Sequence, residues 1–211
     1  WNQGYGYRND GVDIEACTDN ITNGYNVGWT QKGEWLLYTV DIDSTAAYSI
    51  DFRYAANAAN GKFHLQLNGQ AVTAVQSLPA SGGWTSWKTH TIQDVVLEKG
   101  KNHLKLYIDN EGFNINYLNF HSAKALSTIE PDFIYLQTDT SGQYIQMISN
   151  IGYSANQVLN VNDFSVSVDG SEVEIASVQF EPSNQKIISI QLTNGVISAN
   201  RVNLSFNSVQ L

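Results

Sequence analysis

Along this 211-residue chain, apolar residues return at every second position in a series of short runs. Leu36, Tyr38, Val40 and Ile42 share one face of WLLYTVDI, and Tyr48, Ile50, Phe52 and Tyr54 share one face of AYSIDFRYAA. Phe63, Leu65 and Leu67 repeat the pattern in KFHLQLNG, as do Leu104, Leu106 and Ile108 in NHLKLYID. A period of two marks strands with one buried face, because successive side chains leave a strand on opposite sides. Asn68-Gly69, Gly82-Gly83, Gly100 and Gly112 punctuate the runs, and such residues reach the backbone angles that tight turns require. No segment sustains a helical period. The pattern predicts an all-β protein whose first part is a β-sandwich.

From about residue 123 the composition changes. HSAKALSTIEPD is small, polar and closed by a proline, which reads as a boundary between domains at 1–124 and 125–211. Beyond it FIYLQT, QYIQMIS, DFSVSVDG, VEIASVQF, IISIQLT and RVNLSFNSV are all strand-like, and Asp169-Gly170 and Asn194-Gly195 read as tight hairpins. Six or seven strands in about 85 residues fit an immunoglobulin-like sandwich, without the Cys…Trp…Cys spacing of antibody domains. The two parts do not read as copies of one another.

Charge narrows the partners. A formal net charge of −9 argues against nucleic acid and anionic membranes and leaves neutral or cationic ligands. Cys17 is the only cysteine, so no intrachain disulfide can form. No apolar run reaches the roughly 18 residues of a membrane span. The opening WNQGYGYRND reads as the interior of a longer protein, with any targeting signal upstream.

All five tryptophans (Trp1, Trp29, Trp35, Trp84, Trp87) precede residue 88. In SGGWTSW, positions 84 and 87 fall on opposite faces of an extended chain. The glycine pair places Trp84 in a loop and makes it the exposed one, with Trp87 assigned to the core. An exposed indole at a loop-rich edge suits the C–H face of a sugar ring, to which the negative face of the aromatic is attractive. The competing reading is a lid on a satellite core. Trp29, in NVGWTQKGEW, also lies between turn-like segments, and two planes can hold one ring from both sides.

VDIEACTDNITNGYNVGWTQKGEWLLYTVDI, followed by SGGWTSW, LEKGKNHLKLYI and FNINYLNF, resembles a family 6 carbohydrate-binding module over about residues 5–121. The resemblance implies a jelly-roll β-sandwich, non-catalytic, secreted or at the cell surface, and attached to a bacterial polysaccharide-degrading enzyme. It implies a loop cleft in which Trp29 and Trp84 stack on a sugar while Asn114 and Glu15 bind its hydroxyls. Asn116, two residues along the strand, is the alternative if the alignment slips. Some members carry a second site on a sheet face, which here would use Trp35 of Gly33-Glu34-Trp35. Members also begin with a strand bearing two glutamates that help hold a structural calcium ion. That strand is expected to be missing here, so calcium is implied without assigned ligands, and no other cofactor is expected. The second part resembles, more loosely, immunoglobulin-like modules of bacterial cellulases and would serve as a spacer. The implied partner is a neutral β-linked polysaccharide or oligosaccharide, of β-glucan, cello-oligosaccharide or xylan type.

Two other functions are open on the residues. A small glycosidase needs two carboxylates about 5 to 9.5 Å apart, and Glu15 with Asp10 is the pair to consider. A glycan-binding surface adhesin would need no chemistry at all. His64, His90, His103 and His121 are scattered without metal-ligand spacing, and no nucleophile elbow surrounds Cys17 or any serine.

Overall fold

The structure is a computed structural model that describes residues 4, 6, 11–20, 24–121, 124–129, 131–153, 157–196 and 201–206. It divides into two compact units, Trp1–Ile129 and Glu130–Leu211. The division falls a few residues past the 124/125 boundary read from composition. Lys124 still exchanges backbone hydrogen bonds with Ala47, at 2.7 and 3.0 Å, and so stays with the first unit.

Among the described residues ten strands build the first unit: β1 (Ile14–Ala16), β2 (Tyr25–Val27), β3 (Trp35–Ile42), β4 (Ala46–Ala55), β5 (Lys62–Leu67), β6 (Gln70–Ala71), β7 (Gln76–Ser77), β8 (Trp87–Leu97), β9 (Gly100–Asn110) and β10 (Asn114–Phe120). One sheet runs β1-β2-β10-β4-β8. The other runs β3-β9-β5-β6, with β7 also paired to β5. The alternating faces read from the sequence meet in one core. Ile50, Phe52, Phe63, Leu65, Leu104 and Leu106 are all fully buried there, and the Phe52 and Phe63 rings lie 4.1 Å apart. Burying each such side chain contributes about 1.5–3 kcal/mol. Asn68 and Gly69 both take positive φ, as a two-residue hairpin between β5 and β6 demands.

Two expectations fail in this unit. Tyr38 shares its strand face with Leu36 and Val40 yet is exposed, because β3 is a sheet edge and the side chain borders a concavity of about 610 Å³ shared with Ile14 and Tyr25. Trp87 is not a core residue either. A bulge in β8 at Asp94, where φ is +54°, reverses the inward parity. Val95 and Leu97 are buried after it and Ile92 before it, which leaves Trp87 partly exposed with its indole N–H donating to Thr18 Oγ1 at 3.1 Å.

The second unit holds β11 (Phe133–Thr138), β12 (Tyr144–Ser149), β13 (Phe164–Val168), β14 (Ser171–Val173), β15 (Ile175–Glu181), β16 (Asn184–Leu192) and β17 (Val202–Phe206). Its sheets run β11-β12-β16-β15 and β14-β13-β17, enclosing Ile145, Met147, Phe164, Val166, Ile188 and Ile190. Asp169-Gly170 forms the expected hairpin between β13 and β14, both residues at positive φ. Asn194-Gly195 does not form one. The chain leaves β16 there for the other sheet, where β17 pairs with β13. The two-residue link lies instead between Glu181 and Asn184.

Candidate functional site

Phe113 anchors the loop end of the first sandwich. Its buried ring packs edge-on against Phe52, with centres 5.9 Å apart. It also fills the space at Gly61, where a Cβ would come within 2.6 Å of the ring. The Phe113 carbonyl accepts a hydrogen bond from Thr30 Oγ1 at 2.7 Å, tying the chain that carries Trp29 to the start of β10. On the other side of Trp29, the Gly28 N–H donates to the Asp13 carbonyl at 2.8 Å. Held between these two ties, Trp29 takes φ +48°. Left-handed backbone costs a residue with a Cβ about 1–2 kcal/mol. The strained residue projects its indole outward, 42% exposed.

The second indole stands on a loop closed by two serines. Ser81 Oγ accepts from the Ala56 N–H at 2.7 Å and shares its one hydrogen between the Ala56 and Gly83 carbonyls, while Ser86 Oγ donates to the Ser81 carbonyl at 2.9 Å. Gly82 and Gly83 supply φ of +110° and +150°, which only glycine adopts readily. Trp84 emerges from this loop 51% exposed. Its carbonyl accepts from Asn114 Nδ2 at 2.9 Å.

Asn114 joins the two halves. Itself buried, its Nδ2 donates also to Glu15 Oε1 at 3.3 Å, and the same oxygen accepts from Asn26 Nδ2 at 3.0 Å. Both partners of Nδ2 are acceptors, so the amide orientation is fixed by chemistry: reversing it would set oxygen against two oxygens. Oδ1 is left as the outward atom. No buried side-chain polar atom among the described residues lacks a partner, so Oδ1 meets solvent. The floor between the indole-bearing loops is therefore made of acceptors, the Asn114 amide oxygen and the Glu15 carboxylate. Trp29 and Trp84 make no aromatic contact with each other, and each is about half exposed.

Asn114 thus contacts Glu15 and the Trp84 carbonyl and lies beside Gly28, the residue before Trp29. Asn116 does not join them. It is the extra residue of a bulge in β10, where Ile115 opposes Tyr54 but Tyr117 opposes Arg53. Its Nδ2 donates to Asp19 Oδ2 at 3.1 Å, within a network in which Arg53 grips Asp19 at 2.6 and 3.0 Å. Trp35 lies on the other sheet, 53% exposed, with Lys105 Nζ 5.2 Å from its ring and Tyr107 opposite in register. Asp10 lies outside the described residues, and the Glu15 carboxylate accepts from the side-chain amides of Asn26 and Asn114. Among the described residues no three His, Cys, Asp or Glu side chains could hold a metal ion.

Sequence reasoning missed Asn26, Thr30, Phe113 and Gly28. Asn26 stands opposite Glu15 in the β1–β2 register, a pairing that hairpin logic across the intervening turn could have suggested. The Thr30–Phe113 tie spans 83 residues and leaves no local signal.

The chain is 30% identical over 156 residues to the clotting factor G alpha subunit of Tachypleus tridentatus, covering 72% of the chain and 22% of that protein. It is 32% identical over 96 residues to a β-agarase of Microbulbifer thermotolerans, covering 43% and again 22%. The chain thus spans about a fifth of the length of both relatives. A carbohydrate-binding module from Cellvibrio mixtus lichenase 5A, solved with cellotriose, matches with a TM-score of 0.50 at 26% identity, covering 58% of this chain and 95% of that one. The profile of carbohydrate-binding module family 6 matches residues 5–122, more than half of the sequence. The chain belongs to carbohydrate-binding module family 6, a family of non-catalytic β-sandwich modules.

Proposed function

We propose that the first unit binds a neutral β-linked polysaccharide in the loop cleft and so holds an attached glycoside hydrolase on its substrate. One observation carries the reading: two exposed indoles, Trp29 and Trp84, rise from loops that both close on the buried Asn114. A pyranose stacked on the indoles would donate hydroxyl hydrogens to Asn114 Oδ1 and the Glu15 carboxylate. The bond to the carboxylate is charge-assisted and so about twice as strong as a neutral one. The module solved with cellotriose supports a β-glucan or cello-oligosaccharide ligand, with xylan the alternative. Trp35 and Tyr107 form a second, separate aromatic surface for a longer chain. A secreted setting follows from such a substrate.

The second unit is proposed as an immunoglobulin-like spacer. Support comes from its strand order, since β11-β12-β16-β15 and β14-β13-β17 follow the A-B-E-D and C′-C-F arrangement of such sandwiches.

Affinity electrophoresis through gels containing β-glucan, hydroxyethylcellulose or xylan tests the proposal. Retardation of the wild type without release of reducing sugar, abolished in Trp84→Ala, is the expected result. Undiminished retardation of the variant would remove the loop cleft from the account, and sugar release would restore the glycosidase reading.

A further inference from the structure

Gly28 is the one residue of the cleft whose role is defined by what it lacks. Its φ is not in the positive range that demands glycine, and its N–H bond to the Asp13 carbonyl could be made by any residue except proline. Space is what demands it. A Cβ at this position would lie 3.3 Å from Asn114 Oδ1 and 3.3 Å from Glu15 Oε1, closer than carbon and oxygen ordinarily pack. Any side chain would push the two acceptors apart or cover them with carbon.

We infer that Gly28 is a positioning residue that sets the ligand class: its bare backbone lets Asn114 and Glu15 stand together as a floor of acceptors, which takes the hydroxyl edge of a neutral pyranose and rejects a uronate. This rests on the cleft reading above. The chemistry follows from the committed donors. Asn114 Nδ2 is used by the Trp84 carbonyl and Glu15, and Asn26 Nδ2 is turned to Glu15. The floor therefore presents Oδ1 and carboxylate oxygen and needs donors from its ligand. A sugar hydroxyl is a donor as well as an acceptor, whereas a uronate carboxylate only accepts. A uronate would also bring a second negative charge against Glu15, and like charges at that range repel.

Calorimetric titration of the whole chain tests the inference, with cellotriose, laminaritriose and xylotriose as neutral probes and cellobiose against cellobiouronic acid as a matched pair. Titrations run well below each variant's melting temperature, so a lowered stability leaves the reading intact. Wild type should prefer cellobiose over cellobiouronic acid by tenfold or more, and equal or reversed preference overturns the inference. Gly28→Ala should weaken the best neutral trisaccharide at least tenfold, and wild-type affinity in that variant overturns it. A role through the acceptors also requires coupling. In a Glu15→Asp background, whose shorter side chain withdraws the carboxylate, adding Gly28→Ala should cost several-fold less than in wild type. An equal cost in both backgrounds would make Gly28 merely structural. If Trp84→Ala abolishes binding while Gly28→Ala keeps wild-type affinity, this inference falls and the cleft stands. If no neutral sugar binds, both fall.

Discussion

Trp29 is asked to do two opposed things, and substitution separates them. Its backbone is left-handed at φ +48°, a conformation worth about 1–2 kcal/mol against any residue with a Cβ. Alanine keeps that strain and removes the indole. Glycine removes both, while adding about 0.4–1 kcal/mol of unfolded-chain entropy. The glycine variant should therefore be the more stable of the two by about 0.5–1 kcal/mol, or about 2–4 °C in melting temperature for a unit of this size. The ties on either side, from Gly28 N–H to Asp13 and from Thr30 Oγ1 to Phe113, hold the turn in both variants. Binding should respond differently. Loss of an exposed tryptophan anchor costs about 2 kcal/mol or more, roughly thirtyfold in affinity, and should be the same in both. Thermal melts followed by circular dichroism, with oligosaccharide titrations on the same samples, read the two effects. A glycine variant no more stable than the alanine one would refute the strain argument, and wild-type affinity in either would refute the stacking role.

Other expectations follow from the same contacts. Asn114→Ala should lower stability by about 1–3 kcal/mol, because the Trp84 carbonyl and Glu15 Oε1 lose a donor, and should abolish retardation in substrate gels. Asn116→Ala should leave affinity within about twofold of wild type while reducing the melting temperature, since its amide serves Asp19; a large affinity loss would return it to the cleft. Trp35→Ala should leave Trp84-dependent binding untouched and remove any second equivalent of sugar from the titration stoichiometry. Burial holds the His90 imidazole below its ordinary value, with Nε2–H donating to Gln76 Oε1 at 3.0 Å. A base depressed in the folded state contributes stability fully present above about pH 6.5 and lost as pH falls through the folded value. Acidification from about pH 7 to about pH 5 should thus lower the wild-type melting temperature more than that of His90→Gln; parallel curves would contradict the assignment.

The strands were legible because their physics is local. The alternation in AYSIDFRYAA and NHLKLYID recorded directly which faces are buried, and the positive-φ turns at Asn68-Gly69 and Asp169-Gly170 were announced by their residues. Trp84 was legible for the same reason, since the adjacent glycines mark the loop. What misled the reading was alternation carried beyond its strand. Trp84 lies in a turn just before β8, so its exposure does not set the face of Trp87, which pairs with Ala55, and a bulge at Asn116 parts that residue from Asn114. A bulge depends on how two strands pair, which neither strand states alone. Asn194-Gly195 failed similarly, because a hairpin signal is overruled when the chain must cross between sheets. The scaffolding of the cleft was least visible of all. Thr30 and Phe113 meet across 83 residues, and Gly28 matters only once Asn114 and Glu15 have been brought against it.

Binding in the proposed cleft requires one sugar ring to touch both indoles. Proton–nitrogen correlation spectra resolve the indole N–H signals of the five tryptophans, assigned by single substitution and followed while laminarihexaose, cellohexaose and xylohexaose are added in turn. With at least one of these, the Trp29 and Trp84 signals should move together along one saturating curve, while Trp87, bonded to Thr18, stays in place. If every ligand that binds shifts Trp35 alone, or moves only one of the loop pair, the cleft described above is not where this protein holds its sugar.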